Sequence, residues 1–579
     1  MKTKTYFALC ICILIMSSCS LFDSDLDNTY DESRLLNDPS FAEGLLLNAY
    51  RSIPTGYSFE EVATDDAVSN DKSNVYLNMA TGSWTSSNNP ISTWNDSYSV
   101  ISYLNKFLSI VDDVEWSWQS ADRNNYFKSR YKGEAYAMRA LYHFNILKAH
   151  AGPDNSNNLL GIPYIESIPK AEDENEWNLS RPSYNETVEK ILNDLDRAIS
   201  LLPEVYADEK DNDDYNKVNG ANHVNRISGL IARALKARIA LHAASPAFHN
   251  GSYDKDLCMK AADEAAYLID KLGGIDAINK TIKDPYFYDA NSDTKNQDIL
   301  WRMDYQKNVY SLESNNYPPS LYGNGRVNPT QNFVEVFPMK NGYPISYDDK
   351  TLSGYNEDDP YSNRDPRLAN FVLCNGGKIG SYQIYTDEDP QNPNGLETQT
   401  NSTRTGYYLK KLLRPDVTLT PSAITGQTHV RPLIRYTEIY FIYAEAANEL
   451  YGMDNDPDGH GYTPFTIIAN IRKRAKITSK GNSDAYMNNI TQEEFTKLLR
   501  DERRIELSFE GFRFWDIRRW GLPLDEPAKG IRIVETDEGY KYNIIPIVER
   551  RSYQPYMQYG PIPLDQTLKC PSLVQNQGW

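Results

Sequence analysis

A mainly α-helical fold is predicted: a stack of tetratricopeptide-like helical pairs interrupted by a loop-rich, irregular region with a few short strands. Three observations carry this. Apolar residues recur at steps of three and four through both ends of the 579-residue chain. Small residues, above all alanine, occupy those stripes and let neighbouring helices approach closely. Between them, residues 273–430 lose the pattern and are rich in Pro, Gly, Asn, Asp and Tyr. No fixed repeat period is visible, so any repeats are interrupted.

The elements follow in order. A short helix is expected over Phe41–Tyr50, then a helix over Trp94–Ile110 with Trp94, Tyr98, Ile101 and Leu108 on one face. The strongest pattern spans Tyr131–His150, with Ala135, Met138, Tyr142, Ile146 and Ala149 in its stripe and Gly152-Pro153 as a stop. His143 and His150 lie seven apart on it and, with no third ligand or nucleophile in sight, read as helix-surface residues. Further helices are marked by Val188, Ile191, Leu195 and Leu202; by Leu230, Ala234, Ala237, Leu241 and Ala244; and by Ala262, Ala266 and Ile269. In the irregular middle, DILWRMDY and QNFVEVFPM look strand-like. Helices resume with Tyr436, Ile439, Tyr443, Ala447 and Leu450, and then with IIANIRKRAKI. The last strong stretch is LLRDERRIELSFEGFRFWDIRRWG, from Leu498. Here Leu498, Ile505, Phe509 and Phe512 form a stripe, Gly511 offers a stop, and the arginines beside Phe514, Trp515 and Trp520 suggest a half-buried knot of charge pairs and stacked guanidinium groups.

The formal charge of -19 argues against a nucleic-acid partner, since phosphate backbones are bound by clustered Lys and Arg. Forty-two tyrosines on an acidic chain fit uncharged, hydroxyl-rich ligands, and fit core filling equally well. Lys2 and Lys4 precede an apolar run, Tyr6 to Met16, too short to span a bilayer. Met16-Ser17-Ser18-Cys19 resembles a bacterial lipobox, which makes Cys19 the expected lipidation site, residues 1–18 a signal peptide and residues 19–31 an acidic tether. The remaining cysteines, Cys258, Cys374 and Cys570, form neither a disulfide framework nor a zinc pair.

Sugar binding needs flat aromatic faces and nearby amides, carboxylates or guanidinium groups. Tyr76 to Asn89 and Asn315 to Asn324 offer that combination. Trp84 sits among Gly, Ser and Asn, so it is expected to be exposed, while Tyr317, Tyr322 and Asn324 lie on a Pro-stiffened loop. Asp454, Asp456 and Asp458 match the first half of a calcium loop, but Phe465 stands where the bidentate Glu belongs; a solvated turn is the preferred reading and calcium the alternative. Zinc-protease, serine-hydrolase, Walker and dinucleotide motifs are missing, so no catalytic residue is assigned and no cofactor is expected.

Six segments in order resemble the SusD/RagB-like family of surface lipoproteins: PTQNFVEVFPMKNGYPI from Pro329, NRDPRL from Asn363, TGYYLKK from Thr405, IRYTEIYFIYAEAANEL from Ile434, IRKRA from Ile471, and the stretch from Leu498. The closing GPIPLDQTLKCPSLVQNQGW is similar to the family's tail, although QNQGW departs from the commoner ending. The resemblance implies one domain over residues 32–579, with a helical scaffold at about 32–272 and 431–579 and the insertion at 273–430. It also implies an acidic turn near the glycan site, here Asp65 and Asp66, and an outer-membrane, surface-exposed, lipid-anchored protein. Such a protein captures an oligosaccharide and hands it to a SusC-like TonB-dependent transporter. A surface glycoside hydrolase and a non-glycan adhesin or assembly lipoprotein are the alternatives.

Overall fold

The computed structural model describes residues 36–168, 178–280, 298–304, 306–478 and 484–579. The signal peptide, Cys19 and the tether lie outside the described residues. No helix among the described residues is long and apolar enough to cross a membrane.

The predicted helices are present. They are α1 (Pro39–Arg51), α2 (Trp94–Ile110), α3 (Ala121–His150), α4 (Tyr184–Leu201), α5 (Gly229–Ala244), α6 (Lys255–Leu272), α7 (Tyr436–Tyr451), α8 (Pro464–Arg474) and α9 (Gln492–Glu506). Each packs on its neighbour in sequence, and α7 docks directly on α6, so the irregular middle leaves the stack and returns to it without breaking it. Alanine explains how tightly: Ala232, Ala234, Ala237 and Ala240 of α5 and Ala261, Ala262, Ala265 and Ala266 of α6 are all buried.

Start signals are local. The Asp38 carboxylate accepts from the backbone N–H groups of Ser40 and Phe41, with Pro39 at the first helical position. Helix α3 starts at Ala121, earlier than the apolar stripe suggests, because Ser120 accepts from the Arg123 N–H and the first turns lie polar on the surface.

Four expectations are corrected. QNFVEVFPM is not a strand: Gln331–Val336 is a short helix capped by Thr330, and it brings Phe333 and Phe337 together at 5.0 Å between ring centroids. Helix α9 stops at Glu506, with Phe509 in the left-handed region at φ 60°. His143 and His150 are fully buried rather than on the surface. His143 bonds the Arg139 carbonyl at 2.9 Å and accepts from the Ile165 N–H at 3.1 Å, while His150 bonds the Pro561 carbonyl at 2.6 Å and Ser92 at 3.1 Å. Burial pushes their imidazoles down to about 3 and about 4. Lastly, irregular structure is not confined to the middle. Strand β1 (Ala67–Ser69) pairs antiparallel with β3 (Val327–Pro329), and β2 (Ile299–Arg302) pairs with β4 (Pro432–Arg435). The longest hairpin, β5 (Ala528–Thr536) and β6 (Gly539–Glu549), comes from the C-terminal part of the chain. Residues 53–93, the middle and this hairpin together form the loop-rich side of the molecule, around a second core that includes Val62, Phe333, Tyr407, Phe509 and Ile531.

Candidate functional site

The motifs of the middle and of α7 and α8 converge on α9. Arg367 of NRDPRL reaches Glu502 at 2.8 Å and Glu506 at 2.9 Å; Arg472 and Arg474 of IRKRA reach Glu502 at 2.6 Å and Glu506 at 3.0 Å. Just past the helix, Glu510 receives Lys411 of TGYYLKK and Arg435, each at 2.8 Å. Burial alone would raise the Glu506 carboxyl, but the surrounding cations, Arg474 first, bring it down to about 2. These are buried charges satisfied by one another, which is how a low-dielectric interior tolerates them.

The acidic turn belongs to the same knot, which corrects its assignment to a glycan site. Asp66 is fully buried and bound by Arg504, whose Nε donates at 2.6 Å; Asp65 takes Arg513 at 2.8 Å and Arg504 at 3.0 Å. Burial would raise Asp65, and the two guanidinium groups outweigh it and hold the carboxyl below the ordinary carboxylate range. Next door, burial and the Glu60 charge push Glu61 up to about 8, although the Gly511 N–H donates to it at 2.8 Å.

Trp84 is corrected too. It is 2% exposed, its indole N–H donates to Asn89 at 3.0 Å, and its ring meets Trp579 edge-on at 4.9 Å and Tyr553 at 6.0 Å. Beside it lies the guanidinium of Arg518 from α10 (Arg513–Arg519), 3.6 Å from the Phe514 ring centroid and 5.4 Å from that of Trp84. Aromatic faces, not carboxylates, hold this cation, and burial lowers it to about 10.

The Pro-stiffened loop splits its residues. Tyr317 is buried, with its hydroxyl donating to the Arg414 carbonyl, so it cannot offer a face to a ligand. The Asn324 amide is spent on the Ser314 carbonyl at 3.0 Å. Tyr322 is 60% exposed and is the tyrosine this loop presents to solvent. A Cβ at Gly323 would stand 2.1 Å from the Tyr317 carbonyl oxygen, so glycine is what lets the loop fold over its own tyrosine. At the calcium candidate, Asp456 accepts from the backbone N–H groups of His460 at 3.0 Å and Gly461 at 2.7 Å, and among the described residues no three His, Cys, Asp or Glu come together as a group that could hold a metal ion.

Two open crevices flank the segment Gly56–Phe59, which lines both together with Arg431. One, of about 500 Å³, lies between the N-terminal irregular segment and the middle. Tyr57, Phe59, Met303 and Leu312 give it apolar surface, and Asp71, Asn74, Asp304, Asn315, Arg326 and His429 give it polar groups. Asp71 lies 3.7 Å from Arg326, and Ser73 donates to it from both hydroxyl and backbone, which lowers its carboxyl and keeps it ionised. His429 stands on buried Glu313 at 3.0 Å. The other crevice, of about 410 Å³, runs between this segment and the ends of α3 and α5, and holds Tyr76, Trp515 and Lys148. Both volumes suit a small ligand. Of the candidates named from sequence, Tyr76 lines the second crevice, and Asn315 of the second predicted stretch lines the first. Tyr57, Phe59, Asp71, Arg326 and Lys148 were missed; the signal for the first two was an aromatic pair set directly after the Pro54-Thr55-Gly56 turn.

A helical-repeat scaffold carrying a loop-built trough is the class of protein these features define. The chain belongs to the SusD family, whose model matches residues 288–579, and residues 22–219 match the model described as starch-binding associating with outer membrane. It is similar to SusD-like protein P2 of Formosa agariphila, 23% identical over 442 residues, 74% of this chain and 71% of that one. SusD-like protein P25 of the same organism is 23% identical over 298 residues, so that the match spans about half of each, 48%. Among solved structures, a SusD-like protein from Bacteroides fragilis superposes with a TM-score of 0.71 at 22% identity, covering 96% of this chain and 100% of that one. A SusD-like carbohydrate binding protein of the same species gives 0.68 at 21%, covering 93% and 99%, and a laminarin binding SusD-like protein gives 0.55 at 18%, covering 94% and 100%.

Proposed function

We propose that the protein captures an oligosaccharide or polysaccharide at the bacterial surface, held to the outer membrane through lipid on Cys19, and passes it to a SusC-like TonB-dependent transporter. The observation that carries this reading is the 500 Å³ crevice, where the Tyr57 and Phe59 rings lie beside the Asp71 carboxylate and the Arg326 guanidinium. Rings supply faces for the C–H surface of a pyranose, and charged groups make strong hydrogen bonds to its hydroxyls. Neighbours described as carbohydrate binding and laminarin binding support the ligand class. Binding is passive, and the transporter supplies the energy. Exposed Tyr322 extends the reading as an outer contact.

Retardation in gels cast with different polysaccharides identifies the ligand. Arg326→Ala and Asp71→Ala then weaken binding in isothermal titration by roughly tenfold each, the scale of one charge-assisted hydrogen bond. Unchanged affinity in both variants places the ligand elsewhere.

A further inference from the structure

The second crevice carries a charge imbalance that the fold does not resolve. Most of its cations are taken: Arg238 by Glu438 at 2.6 Å, Arg435 by Glu510 at 2.8 Å, and Arg503 and Arg519 by Asp516 at 2.9 and 2.7 Å. Lys148 and Arg431 are different. Among the described residues, no carboxylate and no hydrogen-bond acceptor pairs with the Lys148 ammonium, which sits 4.3 Å from the Trp515 ring centroid and 5.8 Å from that of Phe144. Arg431 donates to the Pro54 carbonyl and stands 5.5 Å from the Tyr57 ring centroid, again with no carboxylate. Against these two stands Glu60, which accepts from the Ser58 hydroxyl. On a chain of net charge -19, two cations with no carboxylate in contact in an open crevice form a local exception.

We propose that this crevice takes an acidic saccharide whose carboxylate or sulfate groups meet Lys148 and Arg431. The inference rests on the saccharide reading above and narrows it to chains that bear an anionic group. Arg431 and Gly56–Phe59 line both crevices, so a chain whose neutral residues lie against Tyr57 and Phe59 rests on the wall that the two crevices share. Trp515 and Phe144 fix the ammonium by their faces and leave its N–H groups for an incoming oxyanion. Burial lowers Lys148 to about 8, with Glu60 and Glu438 opposing that shift, Arg238 adding to it, and His242 nearby. An arriving anion supplies the partner that the burial withholds.

The test compares three oligosaccharides of equal length by isothermal titration: a neutral β-glucan, a polyuronate and a sulfated chain. Wild-type protein binds at least one acidic chain tenfold or more tightly than the neutral one, and added salt narrows the gap. Lys148→Met, which keeps an apolar stem on Trp515, and Arg431→Gln each abolish the preference, while Lys148→Arg retains it. If Lys148→Met does not fold, Arg431→Gln and Lys148→Arg decide the matter. An acidic chain bound no more tightly than the neutral one overturns this inference and leaves the saccharide reading standing, as does a preference that survives both substitutions. Absence of binding to all three, and to every polysaccharide in the gels, overturns both.

Discussion

Trp84→Ala separates a structural tryptophan from a ligand platform. Truncating a large buried aromatic costs about 3–5 kcal/mol. Here the change also removes the edge contacts to Trp579 and Tyr553, leaves Asn89 without the indole N–H, and strips one face from the Arg518 guanidinium, which adds about 1 kcal/mol. Unfolding entropy of about 2 cal/mol/K per residue gives a chain of this length roughly 1 kcal/mol per degree. The melting temperature therefore falls by about 4–6 °C in scanning calorimetry, if the domain melts as one transition. The affinity of the folded protein for its saccharide, read by titration well below the transition, stays within twofold. A variant that melts like the wild type but binds tenfold more weakly refutes the burial argument and returns Trp84 to the ligand site.

Other outcomes follow from the same interior. Arg518→Lys destabilises nearly as much as Arg518→Ala, by about 2–4 °C in the same scan, because an ammonium cannot stack flat on Phe514 as a guanidinium does. Glu61 is raised to about 8, so from its unfolded value near 4.5 upward the native state holds a proton that the unfolded chain has lost, and its contribution to stability falls as pH rises to about 8. Glu61→Gln therefore raises the melting temperature at pH 8 relative to wild type and has little effect at pH 4.5; an equal shift at both pH values rejects the buried carboxyl as the cause. His143 and His150 act with the opposite sign: lowered to about 3 and about 4, they bind fewer protons folded than unfolded, so stability drains away as pH falls from about 6.5 toward 4. His143→Gln flattens that part of the melting-temperature profile.

The helices were legible because their apolar spacing and alanine stripes are local facts, and α2 was placed to the residue, Trp94 to Ile110. The stretch from Leu498 was legible as a charge knot. Its partners were not, since Arg367, Lys411, Arg435, Arg472 and Arg474 come from four separate motifs and meet only in space. The site was the least legible part. Asp65, Asp66, Trp84 and Tyr317 have the composition of a ligand surface, yet each is consumed by a partner far away in sequence: Arg513, Arg504, Trp579 and Arg414. A polar local sequence says little about exposure when distant chain covers it. Tyr57, Phe59, Asp71 and Arg326, conversely, lie in unremarkable loops, and what distinguishes Lys148 on α3 is that no described carboxylate pairs with it, which no spacing rule reports.

The bonds from Asp65 and Asp66 to Arg513 and Arg504 join positions more than four hundred residues apart. That separation bears on kinetics. While α9 and α10 have not yet arrived, the early segment holds two carboxylates with no guanidinium to meet them, and its side of the second core lacks Ile505 and Phe509. Closing so long a loop comes before its contacts can reward it, which slows the final docking. The helical stack draws on contacts between neighbours in sequence, whereas the loop-rich side is complete only once α9 and α10 meet residues 61–66.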